Sequence, residues 1–117
     1  MEFTFQFIQF FFYSLGLVAP LLISMALIII LLGQIVGAGE TWTKFDSLYW
    51  SLITATTVGY GDFRPLRKLS KLLSILIAFV GLIFTGIIVA LALNAATISF
   101  KNLNDFEEIK TNIEKRQ

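Results

Sequence analysis

Two stretches of this chain carry no charged residue: residues 3–39, between Glu2 and Glu40, and residues 72–100, between Lys71 and Lys101. A helix needs about 20 apolar residues to cross the roughly 30 Å hydrocarbon core of a bilayer. Both stretches exceed that, so each is read as a membrane helix that tilts or extends into the interface. Composition agrees. Of 117 residues, 56% are hydrophobic and 15% charged, more apolar surface than a soluble domain of this length hides. The only early charge is Glu2, with no basic segment ahead of the apolar run. The first run is therefore expected to be a retained helix and not a cleaved leader.

What the chain lacks narrows its chemistry. It has no Cys and no His, which removes disulfides, thiolate metal sites, Cys nucleophiles and the commonest general base. An enzyme is not expected. A net charge of +1 gives no reason to expect nucleic acid or an acidic partner.

The first segment runs from Met1 to about Gly37 and opens on Phe3, Phe5, Phe7, Phe10, Phe11, Phe12 and Tyr13, interrupted by Gln6 and Gln9. Aromatic residues favour the bilayer boundary. The stretch either lies along the interface or forms the first turns of one long helix. The outer helix is placed at about 13–37, with Pro20 as a kink and Gly37-Ala38-Gly39 as its end. Residues 40–70 hold most of the charge between the spans, and within them sits an apolar island, Phe45 to Thr56. It is too short to span, and a re-entrant helix over about 45–56 is expected. Thr43 with Asp46 three residues on resembles a capping box and starts that helix. The inner helix is placed at about 69–100, and residues 101–117 form a polar tail, a short helix or disordered. Asn104 with Glu107 offers another cap, and Leu103, Phe106, Ile109 and Ile113 fall on one helical side. That side suits either a bundle of several copies or a solvated, fraying end.

Between the island and the second span stands Thr57-Val58-Gly59-Tyr60-Gly61-Asp62. A short helix followed by this hexapeptide, between two membrane helices, resembles the potassium-channel pore family, in its two-transmembrane bacterial form. The resemblance covers all but the tail and the first dozen residues, so residues 1–100 are read as one pore domain. It implies an all-α membrane protein: two transmembrane helices, a re-entrant pore helix and a filter loop, assembled as a homotetramer. It also implies residence in the cell membrane with both termini cytoplasmic, although the charges of Arg64, Arg67 and Lys68 lean the other way by the positive-inside rule.

The chemistry supports that implication. A potassium ion in hydrocarbon carries a prohibitive solvation cost. Carboxylate ligands would hold it firmly and favour divalent ions, whereas neutral carbonyls give many weak contacts that let ions enter and leave. To aim successive carbonyls one way, the backbone alternates between conformations of opposite hand, and the positive φ this needs is cheap only for glycine. Gly59 and Gly61 have that spacing. By the resemblance, residues Thr57, Val58, Gly59, Tyr60 and Gly61 form the selectivity filter. Potassium is held there by the carbonyls of Thr57, Val58, Gly59 and Tyr60 and by the Thr57 hydroxyl. No cofactor is implied; potassium is the permeant ion. One chain supplies one such strip, so several must close around an axis; the number four comes from the family. The C-terminus of the pore helix, at Ala55-Thr56, would aim the negative end of its dipole at the ion path.

Further roles follow from the resemblance. Tyr49 and Trp50 form an aromatic cuff supporting the filter, Trp50 by Tyr60 and Tyr49 toward Asp62. Ile53 replaces a glutamate found behind the filter in some bacterial relatives, and less filter inactivation is expected. Arg64 stands where some relatives carry an aromatic that binds external tetraethylammonium, so weak external block is expected, unless Arg64 pairs with a neighbouring acid. Gly81, twenty residues after Gly61, takes the position of an inner-helix hinge, and Gly86 that of a close helix approach; ordinary packing is the alternative for both. Leu82, Thr85, Val89, Leu93 and Thr97 form a stripe that lines the cavity or packs between helices, and Val89 and Leu93 would gate by dewetting. Within these residues no arginine-rich helix provides a voltage sensor. Three rival readings stay open: a poorly selective cation channel, a small membrane interaction protein, and a subunit of a potassium-uptake transporter.

Overall fold

The computed structural model describes residues 2–116, which form three helices: α1 (Glu2–Glu40), α2 (Lys44–Ala55) and α3 (Lys68–Arg116). The fold is all-α. Both long helices are long and apolar enough to cross a membrane. Within the chain itself only 17% of the most apolar window of α1 and 11% of that of α3 is buried. Most of that apolar surface is thus left for lipid or for other chains.

α1 contains 39 residues, about 58 Å at 1.5 Å per residue, and it starts at Glu2 instead of near residue 13. Its Phe-rich opening forms ordinary helical turns because the rings fall four residues apart. Phe3 and Phe7 stack at 6.4 Å between centroids, and Phe7 and Phe11 at 6.0 Å, a spacing that reinforces a helix. The helix runs through Pro20, whose carbonyl accepts a 2.8 Å bond from the Ser24 hydroxyl. It also runs through Gly37-Ala38-Gly39. The reversal falls later, at Thr41, with φ of 62°, where the Trp42 N–H closes onto the Gly37 carbonyl at 2.9 Å. This is a left-handed C-terminal cap made without glycine.

α2 starts as its sequence predicts. Thr43 is the N-cap and its side chain accepts the Asp46 N–H at 3.1 Å, while Asp46 itself sits in the first turn, favourable to the helix dipole.

The chain divides into two compact units, each described by itself. In the unit Pro20–Ile87, the core is Ile29, Val36, Trp50, Ala55 and Ile77, with Leu32, Trp42, Phe63, Leu73 and Val80 packed against it. Small residues set the approach of α2. An added Cβ at Gly33 would lie 2.4 Å from the Ser51 Cβ, and one at Gly37 would lie 1.6 Å from the Ser47 Oγ. Ser47 and Ser51 are fully buried, and their hydroxyls donate within α2, to the Thr43 and Leu48 carbonyls at 2.8 Å each. α2 therefore sits against a glycine groove of α1, the close packing that membrane helices favour. On its other side an added Cβ at Gly81 would lie 2.2 Å from the Ala55 carbonyl oxygen. The start of α3 is tied to the end of α1: Glu40 Oε1 accepts the N–H groups of Leu66 at 3.0 Å and Arg67 at 2.9 Å. The Arg67 guanidinium donates to the Gly39 carbonyl at 3.3 Å. Glu40 is a remote N-terminal cap for α3, missed in the sequence because it lies 27 positions away.

In the other unit, formed by the first turns of α1 and by α3 from Ile88 onward, Ala95 and Ser99 are wholly buried, and Phe3 packs on Phe100 at 4.4 Å. α3 passes Asn104 without a break, so the cap expected at Asn104 and Glu107 does not form. No Gly or Pro follows Gly86, and Lys, Leu and Glu propagate the helix. Asn102, Leu103, Phe106 and Ile109 line a notch together with Glu2, Phe3 and Gln6. Most of the tail's apolar stripe therefore lies on the side of α3 that faces the start of α1.

Candidate functional site

The loop between α2 and α3 begins where α2 runs out of partners. Thr56 N–H closes onto the Leu52 carbonyl at 3.0 Å and Thr57 N–H onto Thr54 at 3.2 Å. The Ile53 carbonyl then accepts two bonds, from Val58 N–H at 3.0 Å and Gly59 N–H at 3.2 Å. This folds the start of the hexapeptide back over the last turn of the helix. Positive φ follows at alternate positions: 67° at Thr57, 54° at Gly59 and 82° at Gly61.

The glycine pair was expected in the left-handed region; Thr57 was not. A β-branched residue there stores about 1–2 kcal/mol, and the paired bonds to Ile53 hold the segment in place. A signal existed. Thr57 directly follows the C-cap Thr56, where helices often place a left-handed residue, and it continues the two-residue alternation backward by one step.

Around this strip the structure brings some of the expected residues together. Tyr49 lies near the Asp62 carboxylate, and its ring meets Phe63 edge-on at 6.2 Å. Trp50 packs against Trp42 at 5.3 Å, and Trp42 against Phe63 at 5.4 Å. Trp42 and Phe63 were not singled out in the sequence, yet they join the two halves of this aromatic cluster. The Asp62 carboxylate accepts the Phe63 N–H at 3.2 Å. Arg64 Nε donates to the Gly61 carbonyl at 3.1 Å, placing the guanidinium over the end of the strip. Tyr60 is not brought to Trp50 within one chain; its ring is 70% exposed and Val58 is 49% exposed.

The two glycines of α3 differ. Gly81 is buried against the backbone of Ala55, whereas a Cβ on Gly86 would meet nothing within 4 Å. Sequence reasoning gave Gly81 the hinge and Gly86 the close approach. Within the chain the close approach is at Gly81. All five residues of the α3 stripe, Leu82, Thr85, Val89, Leu93 and Thr97, are exposed.

The family model described as "Ion channel" matches residues 17–97, which takes in α2, the whole loop and most of the two long helices. Among curated proteins the chain is 42% identical over 53 residues to TWiK family of potassium channels protein 7 of Caenorhabditis elegans, covering 45% of this chain and 10% of that protein. It is 40% identical over 65 residues to a voltage-gated potassium channel of Aeropyrum pernix, covering 56% and 19%. It is 37% identical over 54 residues to two pore potassium channel c of Oryza sativa subsp. japonica, covering 46% and 12%. The chain thus spans 10% to 19% of the length of these relatives. No solved structure matches it significantly. The expectation that the chain is not an enzyme stands on its family and not on anything missing from the fold. With two span-length helices flanking a short helix and an alternating loop, and with the family model covering well over half its length, the chain belongs to the ion channel family and forms its membrane pore domain.

Proposed function

We propose that four copies of this chain form a potassium-selective pore of the bacterial two-transmembrane type, with residues Thr57 to Gly61 as the filter. The observation that carries the reading is the alternation of φ at Thr57, Gly59 and Gly61. Residues of opposite hand in strict alternation turn successive peptide carbonyls to the same side, which is what stripping water from a potassium ion requires. One strip covers one side of an ion. Closed symmetry supplies the rest, and the exposed Val58 and Tyr60 side chains are the groups a neighbouring copy would cover. The related proteins named as potassium channels support the choice of ion.

In this reading the carbonyls of Thr57, Val58, Gly59 and Tyr60 and the Thr57 hydroxyl take the place of water. Tyr49, Trp50 and Asp62 brace the strip from behind. The four C-terminal ends of α2 face a water-filled cavity with about half a negative charge each. The exposed stripe Leu82, Thr85, Val89, Leu93 and Thr97 lines that cavity, and Val89 with Leu93 narrows it. Both termini lie in the cytoplasm. Gly81 anchors α3 to the pore helix, and bending falls to Gly86, where side-chain space is open.

The test is purified protein in planar bilayers. A reversal potential near that of potassium in mixed potassium and sodium, with block by barium, is expected; a reversal potential near zero, or no conductance, would overturn the reading. Two further results are expected there. Sustained opening gives a steady current, because apolar Ile53 leaves no carboxylate behind the filter, and Ile53→Glu introduces a decay over seconds; rapid collapse of wild-type current would refute this. External tetraethylammonium blocks weakly, because four Arg64 guanidinium groups surround the mouth. Arg64→Tyr is expected to tighten the block tenfold or more, about 1.4 kcal/mol, through cation–π attraction. Unchanged block in the variant would show that Arg64 does not face the ion path.

A further inference from the structure

The carbonyls assigned to the ion end at Tyr60, and the next one, at Gly61, is taken by a cation of the chain itself. Arg64 Nε donates to the Gly61 carbonyl at 3.1 Å. The whole guanidinium lies close by: a Cβ built on Gly61 would stand 3.4 Å from Arg64 Nη2, 3.5 Å from Nε and 3.9 Å from Cζ. The group therefore packs on the side of Gly61 where no side chain exists. Arg64 is nonetheless exposed to solvent, and its guanidinium keeps its charge at any working pH.

The neighbouring charges are engaged elsewhere. The Asp62 carboxylate accepts the Phe63 N–H at 3.2 Å and lies near Tyr49 of α2. Glu40 accepts the Arg67 N–H at 2.9 Å, and the Arg67 guanidinium donates to the Gly39 carbonyl at 3.3 Å, which ties both to the junction of α1 and α3. Lys68 is exposed on the first turn of α3. Among the described residues, Arg64 is the charged side chain that bonds the strip itself.

Resting on the reading of Thr57 to Gly61 as the filter, we infer that Arg64 makes conduction asymmetric, so that the pore passes potassium outward more easily than inward. Four guanidinium groups, one from each copy, stand at the outer end of the filter. Each takes up a carbonyl that an arriving ion would otherwise meet, and together they lower the cation concentration at the mouth. The Asp62 carboxylates stand behind the strip, so the guanidinium is the charge nearer the ion path. The cavity end has the opposite field, because the C-termini of α2 offer partial negative charge there. An ion entering from outside meets repulsion while it is losing its water; an ion leaving the filter outward is pushed on. The mouth is open to water, so salt weakens the effect: charges act over about 30 Å at 0.01 M and about 3 Å at 1 M.

The test is single-channel current from the full chain in neutral phosphatidylcholine bilayers with equal potassium chloride on both sides. At about 0.01 M the smaller of the two currents at opposite voltages is expected to be about half the larger or less, and at 1 M the two should be nearly equal. Arg64→Gln should remove the difference, Arg64→Lys should keep it, and Lys68→Gln should leave it as in the wild type. The chain has no Cys, so Arg64→Cys carries a single thiol per subunit for membrane-impermeant methanethiosulfonates added to one chamber. A cationic reagent should cut the current entering from its own chamber about twofold or more, and an anionic reagent should raise it. Should Arg64→Gln misfold, the two reagents on Arg64→Cys make the same comparison. Linear wild-type current at low salt, asymmetry unmoved by Arg64→Gln, or equal responses to the two reagents overturns the proposal. Selectivity is read separately from the reversal potential in mixed potassium and sodium. A selective pore with linear current removes the role of Arg64 alone, an asymmetric but unselective pore removes the potassium filter alone, and absence of conductance removes both.

Discussion

Gly81→Ala is expected to be among the most damaging single substitutions in this chain. Its new Cβ would lie 2.2 Å from the Ala55 carbonyl oxygen, 2.6 Å from the Ala55 Cα and 2.7 Å from its carbonyl carbon. These are backbone atoms of a buried residue, so no side chain can rotate aside; either α3 or the end of α2 has to move. Overpacking of this kind costs about 1–3 kcal/mol, sometimes more, and here the backbone contact puts the cost at the upper end. Ala55 also closes α2 two residues before Thr57. A shift there reaches the filter, and conduction should fall even in protein that still assembles. Gly86→Ala is the matched control. Its Cβ meets nothing, and alanine gains about 1 kcal/mol of helix propensity over glycine, so its stability should hold or rise. Thermal unfolding of helicity in detergent, run on both variants, decides the matter. Equal loss at the two positions would show that the Gly81 contact with α2 is not what holds α3.

The second large effect is expected at Gly59. With φ of 54° and open space around its Cα, the penalty for Gly59→Ala is conformational and not steric. An L-residue in this region costs about 1–2 kcal/mol, and four subunits meet at one ion path. The backbone can escape the strain by turning the peptide over, which would aim a carbonyl away from the ions. Potassium selectivity is therefore expected to collapse while helicity and assembly change little. A D-alanine at the same position, introduced by semisynthesis, should restore selectivity, since its chirality favours positive φ. Failure of D-alanine where L-alanine also fails would mean that the side chain itself, and not backbone hand, is excluded there.

The helices were legible in the sequence because their causes are local: charge-free runs longer than a bilayer is thick, and a Thr43 side chain placed to cap Asp46. Their ends were less so. Gly37 and Gly39 look like a terminus, but both are consumed by close approach, Gly37 to Ser47 and Gly39 to the Arg67 guanidinium. The reversal then fell to Thr41. Asn104 looked like a cap because its type and spacing were right, but nothing nearby broke the incoming helix. In the loop, residue type revealed the left-handed glycines and concealed Thr57, whose conformation is imposed by the bonds to Ile53. Gly81 was placed by its distance from the filter. Only the packed structure could show that it presses on Ala55, since that depends on where α2 lies.

The groove that receives α2 is made of missing atoms. Gly33 and Gly37 recur every fourth residue, as do Ser47 and Ser51, and each pair meets at less than the distance one methyl group requires. Neither glycine can therefore take on a side chain while α2 keeps its place. Such a contact constrains descent as well as packing. A lineage that gains a side chain at Gly37 must first lose one at Ser47, so the two positions should drift together, in that order.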